Sequence, residues 1–185
     1  MAGTKEIIFA PYMLFVWLLI SLLSGPLNEE FGWRGYSLDK LLERFGFFGA
    51  TVVLGFIWGI WHFFWSFVPG QAQYEIFNYS KLDWLLFLTV FEIAVSFVIH
   101  LVYIKTERSI LAGALSHMLC NLLASQLIAP MSAQYRSLFI YVTISVGVIF
   151  AIYTMVSKKF NSEVKFQINR IKADKARFGM SENVS

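Results

Sequence analysis

The feature that most constrains this chain is the gathering of its apolar residues into long runs rather than their spread at amphipathic spacing. Each run approaches the roughly 20 residues a helix needs to cross a bilayer. Five can be marked, at 7–23, 47–68, 82–104, 110–129 and 138–156. Among single segments only a helix satisfies all its own backbone groups in lipid, so the pattern predicts an all-α, polytopic transmembrane helix bundle. It would be one domain over 1–156, without internal repeats, followed by a basic cytoplasmic tail at 157–185. The chain is 57% hydrophobic and only 15% charged, where a soluble domain is roughly half apolar and a quarter charged, which argues against a water-soluble core.

Local breakers punctuate the runs: Gly25-Pro26 after the first, Pro69-Gly70 after the second and Pro130 after the fourth. The short 105–109 connection suits an antiparallel helix pair. Arg34, Lys40, Arg44, Lys105, Arg108 and the tail lie on one side of the runs, and Lys5, Lys81 and Arg136 on the other. By the positive-inside rule this predicts a multi-pass protein of the cell membrane with its C-terminus in the cytoplasm and its N-terminus outside. The first run follows a weakly charged start and lacks a small-residue cleavage site, so it is expected to stay as a helix. The tail carries Lys158, Lys159, Lys165, Arg170, Lys172, Lys175 and Arg177, a set suited to an anionic leaflet and not to nucleic acid. It holds too few apolar residues to bury much. Phe160, Val164, Phe166 and Ile168 suggest an amphipathic helix within it, with disorder at the extreme end. The single cysteine, Cys120, excludes an internal disulfide.

The segment 28–44 is too charged to span alone, yet Phe31, Trp33, Tyr36, Leu38, Leu41, Leu42 and Phe45 suit a helix that is interfacial or packed in the bundle. It opens on Glu29-Glu30-Phe31-Gly32-Trp33-Arg34. Charge at the end of a membrane span is expensive and usually functional. On a helix Glu30 and Arg34 pair at i and i+4, while Glu29 points about 100° away and is left free. The plainer alternative is a solvated loop with a surface salt bridge. His62 is the only ionisable residue from Phe45 to Val68, and the plainer alternative there is an interfacial histidine in the aromatic belt of Trp58, Trp61 and Trp65. His117 and Asn121 lie one turn apart, with Gly113 and Ser116 allowing close helix approach, and could simply hydrogen-bond helices together. Separate apolar segments each offering the groups of an acid–base site favour chemistry over scaffolding. Glu92, Ser96 and His100 share a face of the third run, either as a supporting network or as part of the site.

In this order, E-E-x-x-x-R, an aromatic residue four before a histidine, and His-x-x-x-Asn resemble the CAAX-protease and bacteriocin-processing (CPBP, or Abi) family over roughly 24–129. Trp58 stands where that family usually has phenylalanine, and relatives tend to carry further spans ahead of the E-E motif, so the chain reads as a small member or one missing an N-terminal portion. The resemblance implies a CAAX prenyl protease-like, glutamate-dependent intramembrane endopeptidase acting on a membrane-associated or lipidated peptide or protein, with bacteriocin processing or self-immunity among the settings. It implies Glu29 as general base, Glu30 and Arg34 as its support, His62 as the group orienting the water, and His117 and Asn121 as stabilisers of the oxyanion. Glu29, His62 and His117 could instead hold a divalent metal such as zinc; H-E-x-x-H is absent and asparagine is an unusual zinc ligand, so metal dependence stays open. The expected partners are membrane lipid and a peptide or membrane-protein substrate, with no nucleic acid and no oligomeric state specified. Two other readings compete: a non-enzymatic membrane scaffold or sensor, suggested by the 18% aromatic content and the basic tail, and a proton-coupled carrier, against which the lack of a repeat counts. One mismatch needs resolving. On these run limits His62 lies about 22 Å from the cytoplasmic end of its helix and His117 about half as far.

Overall fold

The computed structural model describes residues 11–123 and 133–177. The start of the first run with its retention as a helix, the end of the fourth run with Pro130, and the far tail from 178 lie outside the described residues. Within them the chain is helical, with no strand. The elements are α1 (Pro11–Leu23), α2 (Pro26–Gly32), a π-helical segment Trp33–Leu38, α3 (Asp39–Trp61), a 3-10 segment His62–Phe67, α4 (Ala72–Tyr79), α5 (Lys81–Leu86), a π-helical segment Phe87–Phe91, α6 (Glu92–Lys105), α7 (Ile110–Leu122), α8 (Ala133–Val156) and α9 (Lys158–Arg177).

Three helical stretches are long and apolar enough to cross a membrane, Tyr12–Phe67, Lys81–Lys105 and Tyr135–Val156, and Ile110–Leu122 is a shorter apolar helix. The protein is therefore a membrane-embedded helical bundle. The first two expected runs and the charged segment between them form one helical trace instead of separate spans, and glycines break it. Gly25 precedes α2 with Pro26 at the first helical position, where the missing N–H costs nothing. Gly46 lies inside α3 at φ 65°, ψ −177°, a left-handed value that glycine alone adopts readily. The turn falls immediately before Phe47, where the second run was expected to begin.

The 28–44 segment packs within the bundle, and its buried side joins the charged pair to leucines while its large aromatics face outward. Glu30, Arg34, Leu38 and Leu42 are 0–1% exposed, whereas Phe31, Tyr36 and Phe45 face outward. Lipid tails are as apolar as leucine, so large side chains gain nothing by turning inward, while polar groups must. The π-helical segments carry Arg34 and end immediately before Glu92; such local widening often accompanies functional sites.

Small residues draw α3 and α6 together. A Cβ on Gly55 would stand 2.7 Å from the Cα of Ile93, and one on Gly59 would stand 1.9 Å from the carbonyl oxygen of Leu88. With Thr51 these glycines form a small-xxx-small stripe that allows helix backbones to approach closely. On the far side of α6, Gly147 of α8 packs in the same way on Ala94.

The tail corrects an expectation. Residues 158–177 form one helix, and Phe160, Val164, Gln167 and Ile171 bury a stripe at helical spacing. Phe166 instead points outward, and Ile168 is partly buried against the same cluster. The Phe160 ring meets Phe47 edge-on at 4.8 Å. Ion pairs bind the helix to the neighbouring turns: Lys175–Glu43 at 2.6 Å, Arg170–Glu107 at 3.0 Å and Arg108–Asp174 at 3.3 Å.

Candidate active site

Glu30 projects from α2 into a closed pocket between α2 and α7. Its Oε1 accepts hydrogen bonds from Arg34 Nη1 at 2.6 Å and from His117 Nδ1 at 2.9 Å. All three side chains are buried. Gly113 makes room for the group, since a Cβ there would stand 3.2 Å from Glu30 Oε2. A buried charge persists only when paired and hydrogen-bonded; here Glu30 Oε1 carries both bonds, while Glu30 Oε2 and Arg34 Nε and Nη2 have no hydrogen-bond partner among the described residues, and Glu30 is left no route to solvent.

Glu29 is in a different position. It is partly exposed, and its Oε2 accepts a hydrogen bond from Trp58 Nε1 at 3.0 Å. The indole of Trp58, buried near the end of α3, touches both parts of the site. Its ring lies 4.9 Å from the Arg34 guanidinium carbon, 4.9 Å from the His117 ring and 5.5 Å from the His62 ring. His62 starts the 3-10 segment; its Nδ1 is 3.0 Å from the Trp58 carbonyl oxygen and 3.3 Å from Glu92 Oε1. Beside this cluster runs a groove of about 450 Å³ lined by Asn28, Glu29, Gly32, Trp33, Tyr36, Ser37 and Trp61. Glu29 forms part of its wall and Glu30 does not.

Five of the residues singled out from the sequence, Glu29, Glu30, Arg34, His62 and His117, thus converge around Trp58. The depth mismatch is absorbed at the start of α7: a Cβ on Gly35 would stand 3.0 Å from Ile110 Cδ1, so α7 begins beside the π-helical segment and not level with the Gly46 turn. Asn121 shares α7 with His117 one turn on, but it is exposed and bonds to none of the other site residues.

The metal set does not assemble. Among the described residues no group of three or more His, Cys, Asp or Glu side chains could hold a metal ion. Trp58 takes Glu29 Oε2, Glu30 takes His117 Nδ1, and the Trp58 carbonyl takes His62 Nδ1. Glu92, Ser96 and His100 share a face of α6 and are all buried, but Glu92 and His100 serve different partners and the Ser96 hydroxyl has none among the described residues. His100 Nδ1 bonds Thr51 Oγ1 at 3.0 Å, and that hydroxyl donates to the Phe47 carbonyl at 2.8 Å; Glu92 meets His62. The hydrogen bond from Trp58 to Glu29 went unread in the sequence, where the only signal was tryptophan at a position usually filled by phenylalanine.

The sequence model of the family described as type II CAAX prenyl endopeptidase, Rce1-like, matches residues 11–123. CAAX prenyl protease 2 of Methanococcus maripaludis is 38% identical over 109 residues, which is 58% of this chain and 40% of that protein. The chain therefore spans less than half the length of that relative. The matched stretch contains every residue of the convergent site and covers more than half of the chain, which belongs to the Rce1-like family of CAAX prenyl endopeptidases within the CPBP group.

Proposed function

We propose that the protein is a glutamate-dependent intramembrane endopeptidase that cleaves a lipidated or membrane-associated peptide. The observation that carries this reading is the division of labour between adjacent carboxylates: Glu29 lines the aromatic groove, held through one oxygen by Trp58, while Glu30 is sealed against Arg34 and His117. In the reaction Glu29 removes a proton from water, the water oxygen bonds to the scissile carbonyl carbon, and the amine leaves with a proton returned by the Glu29 carboxyl as the C–N bond breaks. Proton transfer by a positioned side chain contributes about 100- to 10,000-fold. His62 orients the water, and Asn121, exposed on α7, serves the developing oxyanion, with His117 held by Glu30 one turn earlier on the same helix. No step passes through a metal.

The name of the Methanococcus relative supports a prenylated C-terminal peptide as substrate, and the apolar walls of the groove, Trp33, Tyr36 and Trp61, suit a lipid chain. Bacteriocin processing or self-immunity is the narrower setting that the motif resemblance adds. The basic residues of α9 and of the connection before α7 support a cytoplasmic C-terminus in the cell membrane, with 1–156 as the catalytic unit. The test is purified protein in detergent with an internally quenched peptide ending in a farnesylated CAAX sequence. Release of the terminal tripeptide, identified by mass, is expected. Failure to cleave this peptide and its unlipidated form would overturn the reading in favour of a membrane scaffold.

A further inference from the structure

We propose that Glu92 is a positioning residue for His62, fixing the ring and keeping its proton on Nδ1 so that Nε2 is left as an acceptor. The inference rests on the peptidase reading for its role, and on geometry for its substance. His62 Nδ1 lies 3.0 Å from the Trp58 carbonyl oxygen. A carbonyl can only accept, so this nitrogen carries the proton. Glu92 Oε1 stands 3.3 Å from the same nitrogen, adding a second acceptor to the protonated edge. In the neutral ring the remaining nitrogen is then the acceptor.

The bond to the Trp58 carbonyl is local, made by a residue to its own helix turn, and the same carbonyl also receives the His62 backbone N–H. Glu92 supplies the contact from another helix. It is 3% exposed, and among the described residues its ion-pair contact is with His62. An acid inside a membrane bundle is costly to keep and marks function when kept. The packing is arranged to deliver it: Gly59 lets α3 close on the end of the second π-helical segment, and a Cβ on Gly59 would stand 3.4 Å from the Cβ of Glu92. Glu30 and His117 repeat the arrangement, a buried carboxylate on an Nδ1 edge. The site is thus built from two carboxylate–imidazole pairs on either side of one indole. A hydrogen bond on one ring nitrogen decides what the other can do.

The test compares wild type, Glu92→Leu and Glu92→Gln in detergent on the farnesylated quenched peptide, with thermal unfolding of each and nitrogen NMR of histidine-labelled protein. Leucine keeps the volume without the carboxylate, and glutamine keeps an acceptor oxygen. Loss of such a supporting partner commonly costs about 10- to 100-fold. Glu92→Leu is expected to lose about that factor in kcat, with KM within about threefold and an unchanged unfolding temperature, and Glu92→Gln to recover most of it. The His62 signals, identified by their disappearance in His62→Asn, should report the Nδ1–H tautomer alone in wild type and a mixture in Glu92→Leu. A kcat for Glu92→Leu within about twofold of wild type, or His62 signals identical in the two proteins, would overturn the proposal. If wild type cleaves no peptide the peptidase reading falls, and the nitrogen signals still decide the role of Glu92.

Discussion

The two sides of the indole of Trp58 hold the same chemical groups in opposite circumstances. On the α7 side Glu30, Arg34 and His117 are buried, mutually bonded and closed to the groove. On the α6 side Glu29 is partly exposed on the groove wall, and the His62 side chain is 15% exposed against a buried Glu92. Both sides carry a carboxylate and an imidazole, so residue type does not separate structural from reactive roles. Access does: the closed side holds a buried charge pair, whereas the open side places a carboxylate on the groove wall beside a part-exposed imidazole.

The comparison breaks most easily on the closed side. Arg34→Ala strands the Glu30 carboxylate in the bundle, and removing one member of a buried pair costs about 3–5 kcal/mol. Its unfolding transition in detergent should fall accordingly, with activity lost through unfolding; an unchanged transition would mean that the pair contributes nothing to the fold. Gly59→Ala comes next, because its Cβ would meet a backbone oxygen and not a side chain that can swing away. Overpacking of this kind costs about 1–3 kcal/mol. It should also separate Glu92 from His62, so kcat should fall further than stability alone explains. Trp58→Phe has the smallest effect on the fold, since the ring contacts remain and only the N–H to Glu29 is lost. A drop of about tenfold in kcat, equivalent to 1.4 kcal/mol, with little change in unfolding temperature is expected. Equal activity for the two aromatics would remove Trp58 as a holder of Glu29.

Much of the fold was legible because lipid leaves a chain few options: long apolar runs become helices, and the glycines at 25 and 46 mark their breaks. The orientation of the 28–44 segment was half legible. The i, i+4 spacing gave the Glu30–Arg34 pair, but of the apolar residues Leu38 and Leu42 turn inward while Phe31, Tyr36 and Phe45 face outward, because in a membrane apolarity does not distinguish inside from outside and charge does. The contacts of Trp58 and Glu92 were hidden for another reason. Trp58 reaches a carboxylate 29 positions earlier, and Glu92 reaches a histidine on a different helix, so neither follows from spacing within one element. The face shared by Glu92, Ser96 and His100 was read correctly as a face, while its division among separate partners depends on the close approach of α3 that Gly55 and Gly59 permit. The amphipathic helix of the tail was legible in Phe160 and Val164, while its burial was underestimated because its apolar residues are few, although they recur at helical spacing and find a seat at the end of the bundle.

The central claim, that adjacent glutamates divide reactive and structural work, is tested most directly by measuring kcat and unfolding temperature for Glu29→Gln and Glu30→Gln side by side. Glu29→Gln should keep the wild-type unfolding temperature and lose about 100- to 10,000-fold in kcat. Glu30→Gln should unfold at lower temperature through loss of its buried charge partners. A stable Glu30→Gln without activity beside an active Glu29→Gln would contradict the account.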